Sequence, residues 1–387
     1  MKYITTFFIA FIGFILAIGT LAWFTDPYGM YWSPIIENVN KIKPEAGTRT
    51  RITKAYRVNE VKPQILLVGN SRVEMGLDPT HQLFNNKRVY NQAMPGSSLQ
   101  MQIDYALAAI DNNPNIEHII MGVDYFDFLG SQGVDNTTPP AYLKRLNNQN
   151  TALNIFQLKE KAALIFSLDA LISSLNTIYQ QSKEVSSITP LGFNTATTYK
   201  DIMRSEGIKA LFVQKLLNIT KFLQGNKKTL NAEAYQHLEK LISTTTAKKI
   251  KLNFFISPYH YSYLHWLAKH EHWDAFLSWK KTLVLHLAKY NDPLILWDFS
   301  GFNRYITEPV NAKDVHSLMK WYWEPAHYRK ELGNKLLSAM LIKNNDSFGI
   351  KLNSHNITNT IIDNQKGMHA TKASWKDLER WLFSNKN

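Results

Sequence analysis

The chain has no cysteine. Disulfide cross-links, thiolate metal sites and cysteine nucleophiles are therefore excluded. It has no internal repeat and no nucleic-acid-binding motif. Acidic residues are in deficit, with 31 Asp and Glu against 44 Lys and Arg, a formal net charge of +13 and a pI near 9.5. The basic residues are dispersed. Their excess suits an anionic membrane surface or an acidic polysaccharide, or serves solubility alone, and nucleic acid is not expected as a partner. Nothing in the sequence requires a metal or an organic cofactor, and none is expected. What the chain does have is a 45% hydrophobic content over 387 residues, enough for a large core.

Charge is also missing from Ile4 to Phe24, where every residue is apolar, Gly or Thr. Such a run is long enough to cross the ~30 Å hydrocarbon core of a bilayer. A signal peptide has a shorter apolar region closed by a small-x-small cleavage site. Ala17-Ile18-Gly19 has that form but lies inside the run, so an uncleaved membrane anchor over residues 1–25 is expected. Trp23, Tyr28, Tyr31 and Trp32 are placed like an interfacial aromatic belt. Lys2 precedes the segment and the next basic residue is Lys41. That asymmetry puts the main domain outside the cytoplasm, on the periplasmic or extracellular face. Residues 26–63 read as a helical lead-in.

The part from 64 to 341 is organised around Gln64–Pro79. Ile65-Leu66-Leu67-Val68 is a continuous apolar run, the pattern of a strand buried on both faces of a parallel sheet. It ends in the loop Gly69-Asn70-Ser71-Arg72, at the strand end where open α/β sheets place ligands. Asp78 and Pro79 then read as the N-cap and first position of a helix. A second strand over Arg88–Met94 leads through Pro95-Gly96-Ser97-Ser98 into a helix with Leu99, Ile103, Ala106, Leu107 and Ile110 on one face. A third follows over His118–Tyr125. This alternation predicts βαβ units and a parallel sheet. From about 130 to 248 the spacing is helical without a strand, over Leu153–Tyr179, Lys200–Leu223 and Ala232–Thr244. The insertion is expected either to lie over the ligand-binding edge as a lid or to cover a sheet face. A fourth strand over Lys251–Pro258, a long helix over Tyr263–Tyr290 and a fifth strand over Pro293–Phe299 resume the pattern. Residues 342–387 read as a tail packed on the outside, with an amphipathic helix over Ser374–Phe383.

Several side chains carry possible chemistry. In Trp321-Tyr322-Trp323-Glu324-Pro325-Ala326-His327, Pro325 puts Glu324 in a loop and His327 near a helix start. A carboxylate three residues before a histidine can accept the imidazole Nδ1 proton, leaving Nε2 to take a proton from a serine. Arg72 either binds an anionic substrate or locks its loop by an ion pair. His260 ends the fourth strand on the same sheet edge, as a pocket wall or a second base. Trp323, with Trp321 and Tyr322, either stacks on a sugar ring or docks a helix. His265, His270, His272 and Glu271 suggest a metal cluster, but helical spacing does not bring His265 beside both other histidines. An exposed polar face is expected instead, and no metal site. Asp298 and the pair Asp314 and His316 offer another acid and base, with nothing to place them near Ser71.

Gly69-Asn70-Ser71-Arg72 resembles the first block, Gly-Asp-Ser-Leu, of the SGNH, or GDSL-type, hydrolases. Gly96 resembles their second-block glycine, Gly122-Val123-Asp124 stands where their Gly-x-Asn block falls, and Glu324-x-x-His327 is similar to their closing Asp-x-x-His. The apolar N-terminus and Asp26-Pro27-Tyr28-Gly29 are similar to a bacterial membrane-anchored branch related to polysaccharide O-acetylation proteins. The resemblance runs from Ile65 to Met340, outside the insertion. It implies a three-layer αβα, flavodoxin-like fold with a parallel five-stranded sheet. It also implies Ser71 as nucleophile, His327 as general base, Glu324 as the group orienting the imidazole, and the amides of Ser71 and Gly96 as oxyanion donors. Two departures stand out. Glu324 in place of aspartate changes only reach. Asp124 in place of asparagine is more serious, because an ionised carboxylate cannot donate to an oxyanion and repels it. Asn91 is a substitute donor or a turn cap. The implied function is a membrane-anchored serine esterase or O-acyltransferase acting on acyl esters of a cell-envelope or secreted glycan. The alternative is a catalytically inactive relative that binds or scaffolds envelope polysaccharide machinery, and Asp124 is the residue that favours it.

Overall fold

Four apolar residues, none of them exposed, form the strand from which the sheet grows outwards: β1 (Ile65–Val68). The computed structural model describes residues 2–131, 140–146, 155–290, 294–342 and 348–384. β2 (Val89–Asn91) and β3 (His118–Val123) flank β1 on its two sides, both parallel to it. β4 (Leu129–Ser131) and β5 (Asn226–Leu230) pair with each other as a separate antiparallel ribbon. β6 (Lys251–Ile256) and β7 (Ile295–Asp298) extend the main sheet in parallel. β8 (Tyr322–Glu324) and β9 (His327–Tyr328) form a hairpin, and β10 (Ile350–Leu352) adds to the main sheet antiparallel to β7. The spatial order is β10-β7-β6-β3-β1-β2. The chain thus moves from β1 outwards to β2, then crosses back over β1 to β3. The crevice at that reversal, outside the carboxyl ends of β1 and β3, is where such sheets bind ligands.

Helices flank this sheet. α1 (Lys2–Thr25) is apolar throughout and long enough to cross a membrane, a description that a signal sequence also meets. It is mostly exposed and buries only Gly19, Ala22 and Thr25. A 3₁₀ turn at Pro44–Gly47 and α2 (Thr50–Val61) form the lead-in. α3 (Ser71–Gly76) follows β1 directly, and α4 (Leu99–Asn112) is capped by Ser98, whose hydroxyl accepts from the Met101 amide. The insertion contributes α5 (Leu143–Leu146), α6 (Ile155–Phe166), α7 (Leu168–Tyr179), α8 (Thr197–Ser205), α9 (Gly207–Gly225) and α10 (Ala232–Ala247). α11 (Tyr261–Lys269), α12 (Trp273–Leu287) and α13 (Lys330–Leu341) belong to the sheet domain, and α14 (Ile357–Ala370) and α15 (Lys372–Phe383) to the tail.

The sheet has six strands, not five, because the tail supplies β10 instead of only packing outside. Residues 130–248 do contain a strand, β5, whose sequence Asn-Lys-Lys-Thr-Leu has no apolar alternation to announce it. The expected helix after Asp78 and Pro79 is reduced to a 3₁₀ turn, Gln82–Phe84, because Asp78 Oδ1 accepts from the Thr80 amide at 2.9 Å and closes a local turn. The helical run expected over 263–290 is broken where Glu271 adopts a left-handed φ of 60°. The run to Tyr179 is broken at Ser167, whose hydroxyl caps α7. Leu153 and Pro293, where two predicted elements begin, lie outside the described residues.

Candidate active site

Ser71 is positioned by close backbone packing. Gly69 has φ 153°, and a Cβ there would lie 2.4 Å from Val73 Cγ2. Gly122 on β3 faces the same atom, with a Cβ distance of 2.5 Å, so β1, β3 and α3 approach only because both positions lack a side chain. Asn70 caps α3, its Oδ1 accepting from the Arg72 amide at 3.0 Å. Ser71 therefore opens a helix instead of lying in a loop, with its hydroxyl at the mouth of the β1–β3 crevice.

The β8–β9 hairpin supplies the rest. His327 is on β9 and not at a helix start; α13 begins three positions later, at Lys330. In the tight turn between the strands, the Ala326 amide donates to Glu324 Oε2 at 2.7 Å, which fixes the carboxylate. Its Oε1 accepts from His327 Nδ1. His327 Nε2 stands 2.7 Å from Ser71 Oγ. This serine, histidine and carboxylate form a continuous hydrogen-bonded chain.

The charges suit that chain. Burial, and next Lys215, push the His327 imidazolium down to about 4, so the ring is neutral near pH 7. Burial raises the Glu324 carboxyl, but Lys215, His327 and the Ala326 amide outweigh it and hold the group at about 2. Lys215 Nζ lies 3.4 Å from Glu324 Oε1. Tyr199 brings its hydroxyl to 3.2 Å from His327 Nδ1. With Nδ1 protonated toward Glu324, Nε2 presents a lone pair to Ser71.

Asp124 does not face the site as a bare carboxylate. Its Oδ1 accepts from the Phe126 amide at 3.0 Å, and its Oδ2 accepts from the Tyr259 hydroxyl at 3.0 Å and pairs with the Arg72 guanidinium. Arg72 also donates from Nε to the Ala326 carbonyl at 3.1 Å, and its guanidinium lies over the rings of Tyr259 and Tyr263 at 5.1 and 5.6 Å. Arg72 thus ties the serine loop, the end of β3 and the histidine turn together. Of its two expected roles, this geometry displays the ion-pair lock.

A cleft of about 470 Å³ opens over this edge. Asn70, Ser71, Gly96 and Asp124 line it together with Ser98 and Gln100, and its far wall is formed by Phe222, Asn231, Glu233 and His237 of the insertion. The insertion therefore walls the ligand edge along α9 to α10. Asp127 also reaches the cleft; burial, then the neighbouring Asp124, favours its protonated form.

Three expected site residues are placed elsewhere. Asn91 donates through Nδ2 to the carbonyls of Val73 and Leu77, both at 2.9 Å, so its amide closes the end of α3. His260 is fully buried, with Nδ1 on the Ser262 hydroxyl of α11, which it caps, and Nε2 on the Glu308 backbone carbonyl. Trp323 is buried against Met75 and Ala196 with the Arg329 guanidinium over its ring, which is the helix-docking alternative. The other groups are also accounted for. Asp298 pairs with buried Lys280 at 2.8 Å, His316 Nδ1 bonds the Met203 carbonyl, and His265 bonds Thr371. Among the described residues, no group of three His, Asp or Glu could hold a metal ion.

Tyr199 and Lys215 were not anticipated. Both come from helices of the insertion, more than a hundred residues from His327 in sequence, and neither sits in a motif. No protein-family model matches the chain, and no curated protein matches it in sequence.

Proposed function

We propose that this protein is an α/β serine hydrolase or acyltransferase of SGNH, flavodoxin-like type, held at a membrane by α1 with its main domain outside the cytoplasm. The observation that carries this reading is the 2.7 Å contact between Ser71 Oγ and His327 Nε2, with Nδ1 of the same ring held by Glu324. As an acyl ester enters the cleft, the Ser71 hydroxyl proton passes to His327 Nε2 while Oγ forms a bond to the ester carbonyl carbon. The carbonyl oxygen takes the negative charge, stabilised by the amides of Ser71 and Gly96. Both residues line the cleft, and among the described residues neither amide has a protein acceptor. Collapse of the tetrahedral species breaks the carbon–oxygen bond of the leaving alcohol, which takes the proton back from His327. Water or a glycan hydroxyl then attacks the seryl ester, giving up its proton to His327, and the bond from the acyl carbon to Ser71 Oγ breaks as Oγ takes that proton back.

The polar lining supplied by Ser98, Gln100, Asn231 and His237 suits a hydroxyl-rich substrate, and this supports an acylated glycan of the cell envelope as the substrate class. The case for a non-catalytic scaffold loses its motive. Asp124 is neutralised by Arg72 and bonded at both oxygens, so it need not repel an oxyanion. The test is hydrolysis of an aryl acetate by the full chain in detergent. Release of the phenol above buffer, abolished in Ser71→Ala, is expected; equal release by both proteins would count against the reading.

A further inference from the structure

α7 is built inside out for a helix in water. It buries Ala170, Ser174 and Thr177, each at 0% exposure, and presents Leu168 at 70%, Ile172 at 57% and Leu175 at 54%. A helix on a water-soluble domain turns its Leu and Ile inward and its Ser and Thr outward. Small residues at the helix contact with large apolar ones outside is the arrangement of helices packed in lipid. α6 adds to the exposed apolar surface with Ile155, Leu158 and Phe166, and buries Leu164. Glu160 takes Arg145 and Tyr56, and Asn176 donates to Glu45, all toward the domain, while Lys159 and Asp169 stay exposed at the rim, Asp169 paired with Arg49 of the lead-in at 3.2 Å.

The exposed face is continuous with α1. Both α6 and α7 pack on α1, with Leu164 and Ala170 in one buried cluster with Ala22. The elbow between them is seated against Gly19, where a Cβ would lie 2.2 Å from the Phe166 ring. The two helices meet at 47° and together are as apolar as a membrane span. Gly19 stands about 7.5 Å along α1 from Phe24, the end of the uncharged run, at the helical rise of 1.5 Å per residue. If α1 crosses the bilayer, Phe166 is held at that depth below the outer interface, within the ~5–10 Å reached by interfacial helices.

We propose that α6 and α7 form a re-entrant elbow whose outer face is covered by acyl chains of the outer leaflet. The elbow makes a second membrane attachment that fixes the tilt of the catalytic domain. This rests on the reading of α1 as an anchor. The absence of cysteine makes a direct test simple. Nitroxide labels are attached to Leu168→Cys, Ile172→Cys and Leu175→Cys in the full chain reconstituted into phosphatidylcholine–phosphatidylglycerol vesicles. Phe8→Cys in α1 and Lys281→Cys on the exposed face of α12 serve as lipid and water references. Relative to Lys281→Cys, the three elbow labels should collide more with oxygen and less with a water-soluble nickel chelate, as the Phe8→Cys label does. Elbow labels as open to nickel as Lys281→Cys, with Phe8→Cys in lipid, would overturn the elbow alone. Labels shielded from both quenchers would place a protein partner there and also overturn it. An aqueous Phe8→Cys would remove the anchor and the elbow with it.

Discussion

Lys215 is the residue whose charge most directly tunes the site. It stands 3.4 Å from Glu324 and, after burial, is the chief cause of the low His327 pKa of about 4. The base form of His327 is present above that value and is lost as pH falls through it, so esterase activity should fall off on the acid side near pH 4. Replacing Lys215 by Met removes a positive charge that opposes protonation of the imidazole. The acid limb of kcat/KM in Lys215→Met should therefore move to higher pH, while Lys215→Arg should hold it in place; an unmoved limb in Lys215→Met would mean that Lys215 does not act on His327. The three residues of the hydrogen-bonded chain were legible in the sequence because each sits in a short local pattern: a strand end before Ser71, and a three-residue spacing between Glu324 and His327. The direction of a loop side chain was not. Tyr259 and His260 lie in the short loop between β6 and α11, whose turns set the partner of each side chain. Tyr259 reaches Asp124 while His260 caps α11 and reaches the Glu308 carbonyl, so placing the loop on the sheet edge did not tell which way His260 points.

At the scale of elements, α3 is clamped between β9 and α13. A Cβ on Gly76 would lie 2.0 Å from the Tyr328 ring, and one on Gly333 would lie 1.7 Å from the Gly76 carbonyl oxygen. The helix that begins with Ser71 is thereby locked to the strand that carries His327. Gly333→Ala should push α13 off α3 and destabilise the fold by roughly 1–3 kcal/mol, the usual cost of overpacking. Thermal denaturation should show a lower Tm, and Ser71 reactivity should fall with it; an unchanged Tm would mean that the contact is not tight. The insertion is also knitted to the site. Leu191 accepts from the Asn91 amide beside β2, and Asn194 bonds both the carbonyl and the carboxylate of Glu74. That chain then runs into α8 and Tyr199. The long, strongly patterned elements were readable, including β1, β3, β6 and α4. β5, β8, β9 and β10 were not, since strands of two to five residues are too short to carry a periodic signal and owe their form to the partner strand.

Across the whole molecule, the parts of the site come from both ends of the domain, with Ser71 and His327 brought together by a sheet whose order reverses at β1. The buried ion pair Lys54–Glu74 links α2 to α3 and Lys280–Asp298 links α12 to β7, at 2.8 Å in both cases. The apolar N-terminus, readable at once from its missing charge, could be assigned a length but not neighbours; that α6 and α7 pack on it appears only in three dimensions. The central claim is that Ser71 is an activated nucleophile, and covalent labelling by a serine-reactive phosphonate tests it most directly. The full chain in detergent, Ser71→Ala and His327→Ala would be treated together and the adduct mapped by mass. Modification at Ser71, absent in Ser71→Ala and strongly reduced in His327→Ala, is the predicted result. A well-folded protein that takes no label, or labels equally without Ser71 or His327, would contradict it.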